Sequence, residues 1–350
     1  MRLQDGKMNI YMQYHLQQRN QKCRLKTNNQ IFPTLFLVIL YFIFLAPNTG
    51  LNHISAAYSQ NQSSSFQAEA KALDDMPTQK IKAGDIHIAY KQLGNVSDYP
   101  VVLITGCCTT MDMWSPTLLN ELSSDRSVII FDNRGAGEST AGTKEFSINQ
   151  FANDTIGLLD ALKIEKADIL GSSMGSFIAQ EIALKNANRV NNLILYASSC
   201  GGNEAVLPSP QVLEAVETMT NTSSPPTQED IDRITSTLFP PEWFKANPNY
   251  QNYIPLPKES VSPEIIQRQN EAIVSWLTAG LCNALSNINQ STLVIVGTDD
   301  IWTPSTNSLL IAERIPGAWL VQMRDAGHGL MYQYPDKFSK VVSTFLQTVS

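Results

Sequence analysis

Five short runs, at residues 101–105, 127–131, 167–170, 192–197 and 292–296, are apolar almost without interruption, and stretches of helical spacing lie between them. A strand made from such a run has no polar face to turn to water, so it needs cover on both sides. Helical periodicity over residues 114–122, 148–162, 176–184, 308–314 and 336–348 supplies that cover. A further strand is expected at 318–323, and a hairpin over 80–90, where two alternating runs meet at Gly84-Asp85. The fold class expected is therefore α/β, a mostly parallel sheet with helices on both faces.

The alternation breaks between about residues 202 and 289. Val212, Leu213, Val216 and Met219 make one helical face there, and Ile231, Ile234 and Leu238 another. Ser262-Pro263 pairs an N-cap residue with proline at the first helical position, opening a helix that runs through Trp276. A helical insertion of this size between two sheet strands reads as a cap over the C-terminal strand edge, where open α/β sheets bind ligands.

The N-terminal part reads differently from this body. Six basic residues against Asp5 make residues 1–50 net +5, so the rest of a chain of net charge −7 carries −12. An acidic body with a basic leader argues against a nucleic-acid partner and for a targeting segment. Residues 1–30 form that leader, and residues 31–46 are apolar and uncharged. Sixteen such residues fall between a signal-peptide core and the about 20 that a membrane-spanning helix needs, so both a cleaved signal and a retained membrane anchor stay open. Either places the body outside the cytoplasm, secreted or anchored. Residues 47–77 are rich in Ser, Gln, Asn and Ala and read as a flexible tether, with the folded body at 78–350. The five cysteines do not make a disulfide scaffold and are read as free buried thiols. Export leaves room for a Cys200–Cys282 bridge that the sequence alone does not assign.

The candidate chemistry centres on Gly171-Ser172-Ser173-Met174-Gly175, which follows an expected strand and opens an expected helix. That strand-to-helix context is what a nucleophile elbow requires, and it makes Ser173 the candidate nucleophile. A serine hydroxyl is a weak nucleophile at neutral pH and needs a base, itself oriented by an acid. Of four histidines, His15 lies in the leader, His53 in the tether and His87 in the hairpin, which leaves His328, just past the last strand. The acid falls at Asp299-Asp300 after the run 292–296, with Asp300 favoured and Asp299 left to a turn role. Two backbone N–H groups are needed to hold a developing oxyanion, and Met174 and Cys107 are the expected donors. No His/Cys spacing fits a zinc site, so no metal is expected.

Taken together, residues 78–350 resemble the α/β-hydrolase superfamily. Phe131-Asp132-Asn133-Arg134-Gly135-Ala136-Gly137-Glu138-Ser139 looks like that family's glycine-rich turn near the active site, and 171–180, 297–304 and 327–329 look like its nucleophile, acid and histidine motifs. The resemblance implies an eight-stranded, mostly parallel sheet with a cap, no cofactor, and a triad of Ser173, Asp300 and His328. Thr105-Gly106 stands where the family commonly has His-Gly, and Ser176 where it often has glycine. The expected activity is hydrolysis of a small or medium carboxylic ester, the partner being that small-molecule substrate. Lactone, prolyl amide and C–C bond hydrolysis use the same machinery, and a non-catalytic binding protein on this fold is the alternative of another class.

Overall fold

A computed structural model describes residue 66 and residues 69–73, 75–95, 99–220, 227–255 and 258–349. The apolar run 31–46, with its choice between signal and anchor, lies outside the described residues. Among the described residues no helix is long and apolar enough to cross a membrane.

The apolar runs form the strands of one sheet: β1 (Gln79–Ala83), β2 (Ile86–Leu93), β3 (Val101–Ile104), β4 (Val128–Phe131), β5 (Ala167–Ser172), β6 (Val190–Tyr196), β7 (Ser291–Gly297) and β8 (Trp319–Met323). Their order is β1-β2-β4-β3-β5-β6-β7-β8. The β1–β2 and β2–β4 pairings are antiparallel, and every pairing from β4 through β3 to β8 is parallel. The eight-stranded, mostly parallel expectation holds.

Side chains alternate across a strand, so each buried run feeds two cores. From β3, Val102 and Ile104 face the layer of α2 (Ile148–Ala161) and α3 (Met174–Lys185), while Val101 and Leu103 face α1 (Pro116–Ser123) and the C-terminal helix. On β4, Ile129 and Phe131 divide from Val128 and Ile130 in the same way. Full burial of each such side chain is worth about 1.5–3 kcal/mol. Helix starts shift by a few residues from the expectation. Proline, whose fixed φ suits the first helical turn, opens α1 at Pro116 instead of Trp114.

Between β6 and β7 lie α4 (Pro210–Met219), α5 (Gln228–Ser236), α6 (Pro241–Ala246) and α7 (Pro263–Ala279). The Ser262 hydroxyl accepts from the Ile265 N–H at 3.3 Å, the cap that Ser262-Pro263 foretells. After β7 come α8 (Ser305–Arg314), α9 (Leu330–Gln333) and α10 (Pro335–Val349). On α10, Phe338, Val342, Phe345 and Leu346 recur at helical spacing and face the sheet.

Two expectations need correction. Residues 69–73, assigned to the tether, are helical, Phe66 is buried, and Leu73 packs on the α1/α10 core, so packed structure begins before Thr78. Lys91 helps hold this segment: its buried ammonium needs acceptors and takes the Leu73 carbonyl and Asp112, both at 3.0 Å. Nor are all the cysteines free thiols: Cys200, just past β6, is bridged to Cys282, with Cα atoms 4.9 Å apart. A separation of 82 residues hid this pair, because only folding brings the two ends of the insertion together. Replacing both residues by alanine is expected to cost about 2–4 kcal/mol of unfolding free energy in a urea titration, as is usual for long closed segments. An unchanged midpoint at unchanged slope would show the bridge to be energetically idle.

Candidate active site

Ser173 sits between β5 and α3 at φ +52°, ψ −119°. A non-glycine residue adopts such a conformation only where its surroundings impose it, as happens at functional sites. The Ser173 N–H donates to the Tyr196 carbonyl at 2.9 Å, tying the turn to β6. A Cβ on Gly175 would lie 2.0 Å from the Ile104 carbonyl oxygen, so only glycine lets α3 start this close to β3. Gly106 comes close from the other side: a Cβ there would sit 3.3 Å from that of Ser173, a tight contact. The loop after β3 therefore packs directly against the serine.

Ser176, the departure from the family pattern, is buried and fully engaged. Its hydroxyl donates to the Ser173 carbonyl at 2.6 Å and lies 2.7 Å from the Ser198 hydroxyl, which also accepts from Gln180 Nε2 at 3.0 Å. These bonds brace the turn from below. Ser198 and Gln180 give no sequence signal for this role.

Asp300 and His328 meet as the sequence suggests. His328 Nδ1 lies 2.8 Å from Asp300 Oδ2 and 3.0 Å from Oδ1. The Asp300 carboxylate is buried and also accepts from the Trp302 N–H (2.8 Å), the Thr303 N–H (2.9 Å) and the Thr303 hydroxyl (3.0 Å). A buried carboxylate is tolerable only with such partners. Asp299 is exposed, and its Oδ1 accepts from the Thr298 hydroxyl at 3.3 Å. The Trp302 ring stacks over the imidazole, centroids 5.6 Å apart. Tyr196 Oη donates to the His328 carbonyl, a contact with no signal in the sequence. Burial, with the Asp300 charge behind it, pushes the Tyr196 phenol well up, so it stays protonated and able to donate.

Met174 is the first residue of α3, so its N–H has no acceptor within the helix. Cys107 follows Gly106 in the loop that faces Ser173, and Cys108 behind it has φ +66°. The loop is held by Asn133 Nδ2, which donates to the Thr105 carbonyl (3.2 Å) and hydroxyl (3.0 Å), and by Gln269 of α7, whose Oε1 accepts from the Cys108 N–H at 2.9 Å. Asn133 belongs to the glycine-rich stretch read from the sequence, whereas Gln269 sits on the far side of the insertion and could not be found there. Neighbouring Asp132 accepts from the Met111 and Glu138 N–H groups, and burial pushes its carboxyl up to about 6. Arg134, wholly buried, grips Asp154 and Asp85, and its guanidinium holds Asp85 well below the usual carboxylate range.

Ser173, His328, Gly106, Cys107 and Cys108 line one cavity of about 220 Å³. Its remaining wall is mostly apolar and includes Met219, Ile234, Leu238 and Ile254 from the insertion. The insertion also touches the acid and histidine loops directly, through Trp302 Nε1 to the Thr237 hydroxyl (2.9 Å) and the Gly329 N–H to the Leu238 carbonyl (2.7 Å).

Known proteins resemble the chain over most of its length. A Caulobacter sp. (strain K31) protein, provisionally named carbamate hydrolase RutD, is 24% identical over 279 residues, covering 76% of this chain and 98% of that one. The 2-hydroxy-6-oxononadienedioate/2-hydroxy-6-oxononatrienedioate hydrolase of Paraburkholderia xenovorans is 26% identical over 280 residues, covering 76% and 93%. Among solved structures, an alpha/beta hydrolase fold protein from Chitinophaga pinensis superposes with TM-score 0.66 at 27% identity, covering 78% of this chain and 98% of its own. With residues 99–335 matching the family described as alpha/beta hydrolase fold, and with hydrolases as its relatives, the chain belongs to the α/β-hydrolase fold family.

Proposed function

We propose that the protein is a serine hydrolase that cleaves small or medium, uncharged carboxylic esters. The observation that carries this reading is the shared cavity: a serine in a strained turn and a histidine bonded to a buried carboxylate face the same apolar space. In this mechanism Ser173 Oγ attacks the acyl carbon while His328 Nε2 takes its proton. Asp300 holds Nδ1–H and stabilises the imidazolium that forms. The Met174 and Cys107 N–H groups receive the oxyanion. His328 returns the proton to the leaving alkoxide, and water, activated by the same histidine, hydrolyses the acyl-enzyme.

The size and polarity of the cavity favour the substrate class. About 220 Å³ lies below the roughly 300–1,000 Å³ of drug-sized sites. Of the described residues lining it, none is Asp, Glu, Lys or Arg. A prolyl amide would bring in an ammonium with no carboxylate to meet it, and a dioate, as in the name of the Paraburkholderia relative, would bring in carboxylates with no cation. Burying either without a partner is costly. Aryl esters differing only in the acyl end provide the test. The butyrate ester is expected to be cleaved at least about tenfold faster, in kcat/KM, than the hemisuccinate, the change expected from roughly 1.4 kcal/mol of unmet desolvation. Preference for the hemisuccinate would overturn the reading.

A further inference from the structure

The cavity wall holds a second reactive group that ester cleavage does not use. We propose that Cys107 and Cys108 are a reversible redox pair, which a disulfide oxidant closes into a vicinal disulfide beside Ser173 and a thiol reductant reopens. Both are free, partly buried cysteines lining the cavity, and their Sγ atoms lie 2.6 Å apart. The left-handed backbone at Cys108 accompanies this convergence of two neighbouring side chains, which in an extended strand would point to opposite faces. A second observation concerns the chemistry the chain has met. The Cys200–Cys282 bridge is formed, and such bridges form and persist where thiol oxidants are present.

The exchange balances with a small-molecule disulfide, RSSR, as the oxidant. The Cys108 thiolate attacks one sulfur of RSSR, giving a mixed disulfide and one RSH. Cys107 Sγ then attacks Cys108 Sγ, its proton leaving with the second RSH. Two electrons pass from the pair to RSSR. The Cys108 thiol beside it and burial push the Cys107 thiol well up, which suits Cys107 to the second, resolving step. Adjacent Cα atoms across a trans peptide stand about 3.8 Å apart, short of the about 4.4–6.8 Å that disulfides prefer, so the ring is strained and readily reduced.

Closing the ring changes the backbone torsions of Cys107, and with them the direction of its N–H, as well as the peptide that joins it to Cys108. The Cys108 N–H is held by Gln269, which is buried, and the Cys107 N–H is the oxyanion donor on the reading above, on which this consequence rests. The oxidised enzyme is therefore expected to lose about 10- to 100-fold in kcat/KM, a loss approaching that of one oxyanion donor.

The test compares purified protein after oxidised glutathione with the same protein after a dithiol reductant. Peptide masses are read after alkylation under non-reducing, denaturing conditions, and the rate on the butyrate ester is read in parallel. Expected are a peptide with Cys107 and Cys108 that is two hydrogens lighter and resists alkylation, a slowed enzyme, recovery on reduction, and Cys200–Cys282 bridged throughout. Cys108→Ser is expected to show no oxidant-dependent change in rate. Both thiols alkylated in excess oxidant, or a glutathione adduct that never resolves, would overturn the pair. A closed ring with an unchanged rate would overturn its coupling to the oxyanion donor. Absence of hydrolysis in the reduced enzyme would instead sink the ester reading, while the masses still decide the pair.

Discussion

Ser173→Ala is expected to lower kcat/KM on any cleaved ester by at least about 10⁴-fold, leaving only what donor groups and binding provide without a nucleophile. The same substitution is expected to leave the unfolding free energy nearly unchanged. Alanine keeps the Cβ, so the φ of +52° costs as much as before, and the bonds that brace the turn come from the backbone of residue 173 and the hydroxyl of Ser176. Ser173→Gly separates the two effects: equally inactive, it is expected to gain up to about 1 kcal/mol of stability in a urea titration, because glycine adopts positive φ freely. An active-site turn that stores strain gives up activity for stability in this way. Full activity in Ser173→Ala would refute the mechanism outright.

Asp300→Asn carries the second large effect, a fall in kcat of about 10³- to 10⁴-fold. Asn can offer its amide NH₂ toward His328 Nδ1, which turns the imidazole to the tautomer that protonates Nε2 and blocks the base. It also loses an acceptor for one of the donors from Trp302 and Thr303. Asp299→Asn is the internal control, expected within about twofold of wild type because that side chain is exposed and meets only a neighbouring hydroxyl. Reversal of the two results would move the acid to Asp299.

The sequence carried the fold where local chemistry was enough. The apolar runs that became β3 to β7 could be buried only on both faces, and the glycines around Ser173 announced close backbone approach. Ser173, Asp300 and His328 were legible because each stands beside a strand end in a distinctive local pattern. What escaped was made by contacts between distant segments. Gln269 reaches Cys108 across 161 residues, and Tyr196 reaches the His328 carbonyl across 132. The Cys200–Cys282 bridge belongs to the same class. The boundary near Thr78 failed for a related reason, since a polar composition hid Phe66 and Leu73, and the need of buried Lys91 for acceptors lies in another strand.

The bridge at the foot of the insertion has a consequence for how such a protein can change its substrate. The chain leaves β6 and returns toward β7 through two Cα atoms 4.9 Å apart, so the covalent stem closes the insertion whatever its length, and its contacts with the sheet loops are additional. Segments of other lengths can be closed on the same stem at an entropic difference of only about 0.6 kcal/mol per doubling of length. The part that supplies Met219, Ile234, Leu238 and Ile254 to the cavity can thus change in length at little entropic cost, while Ser173, Asp300 and His328 all lie outside the closed segment.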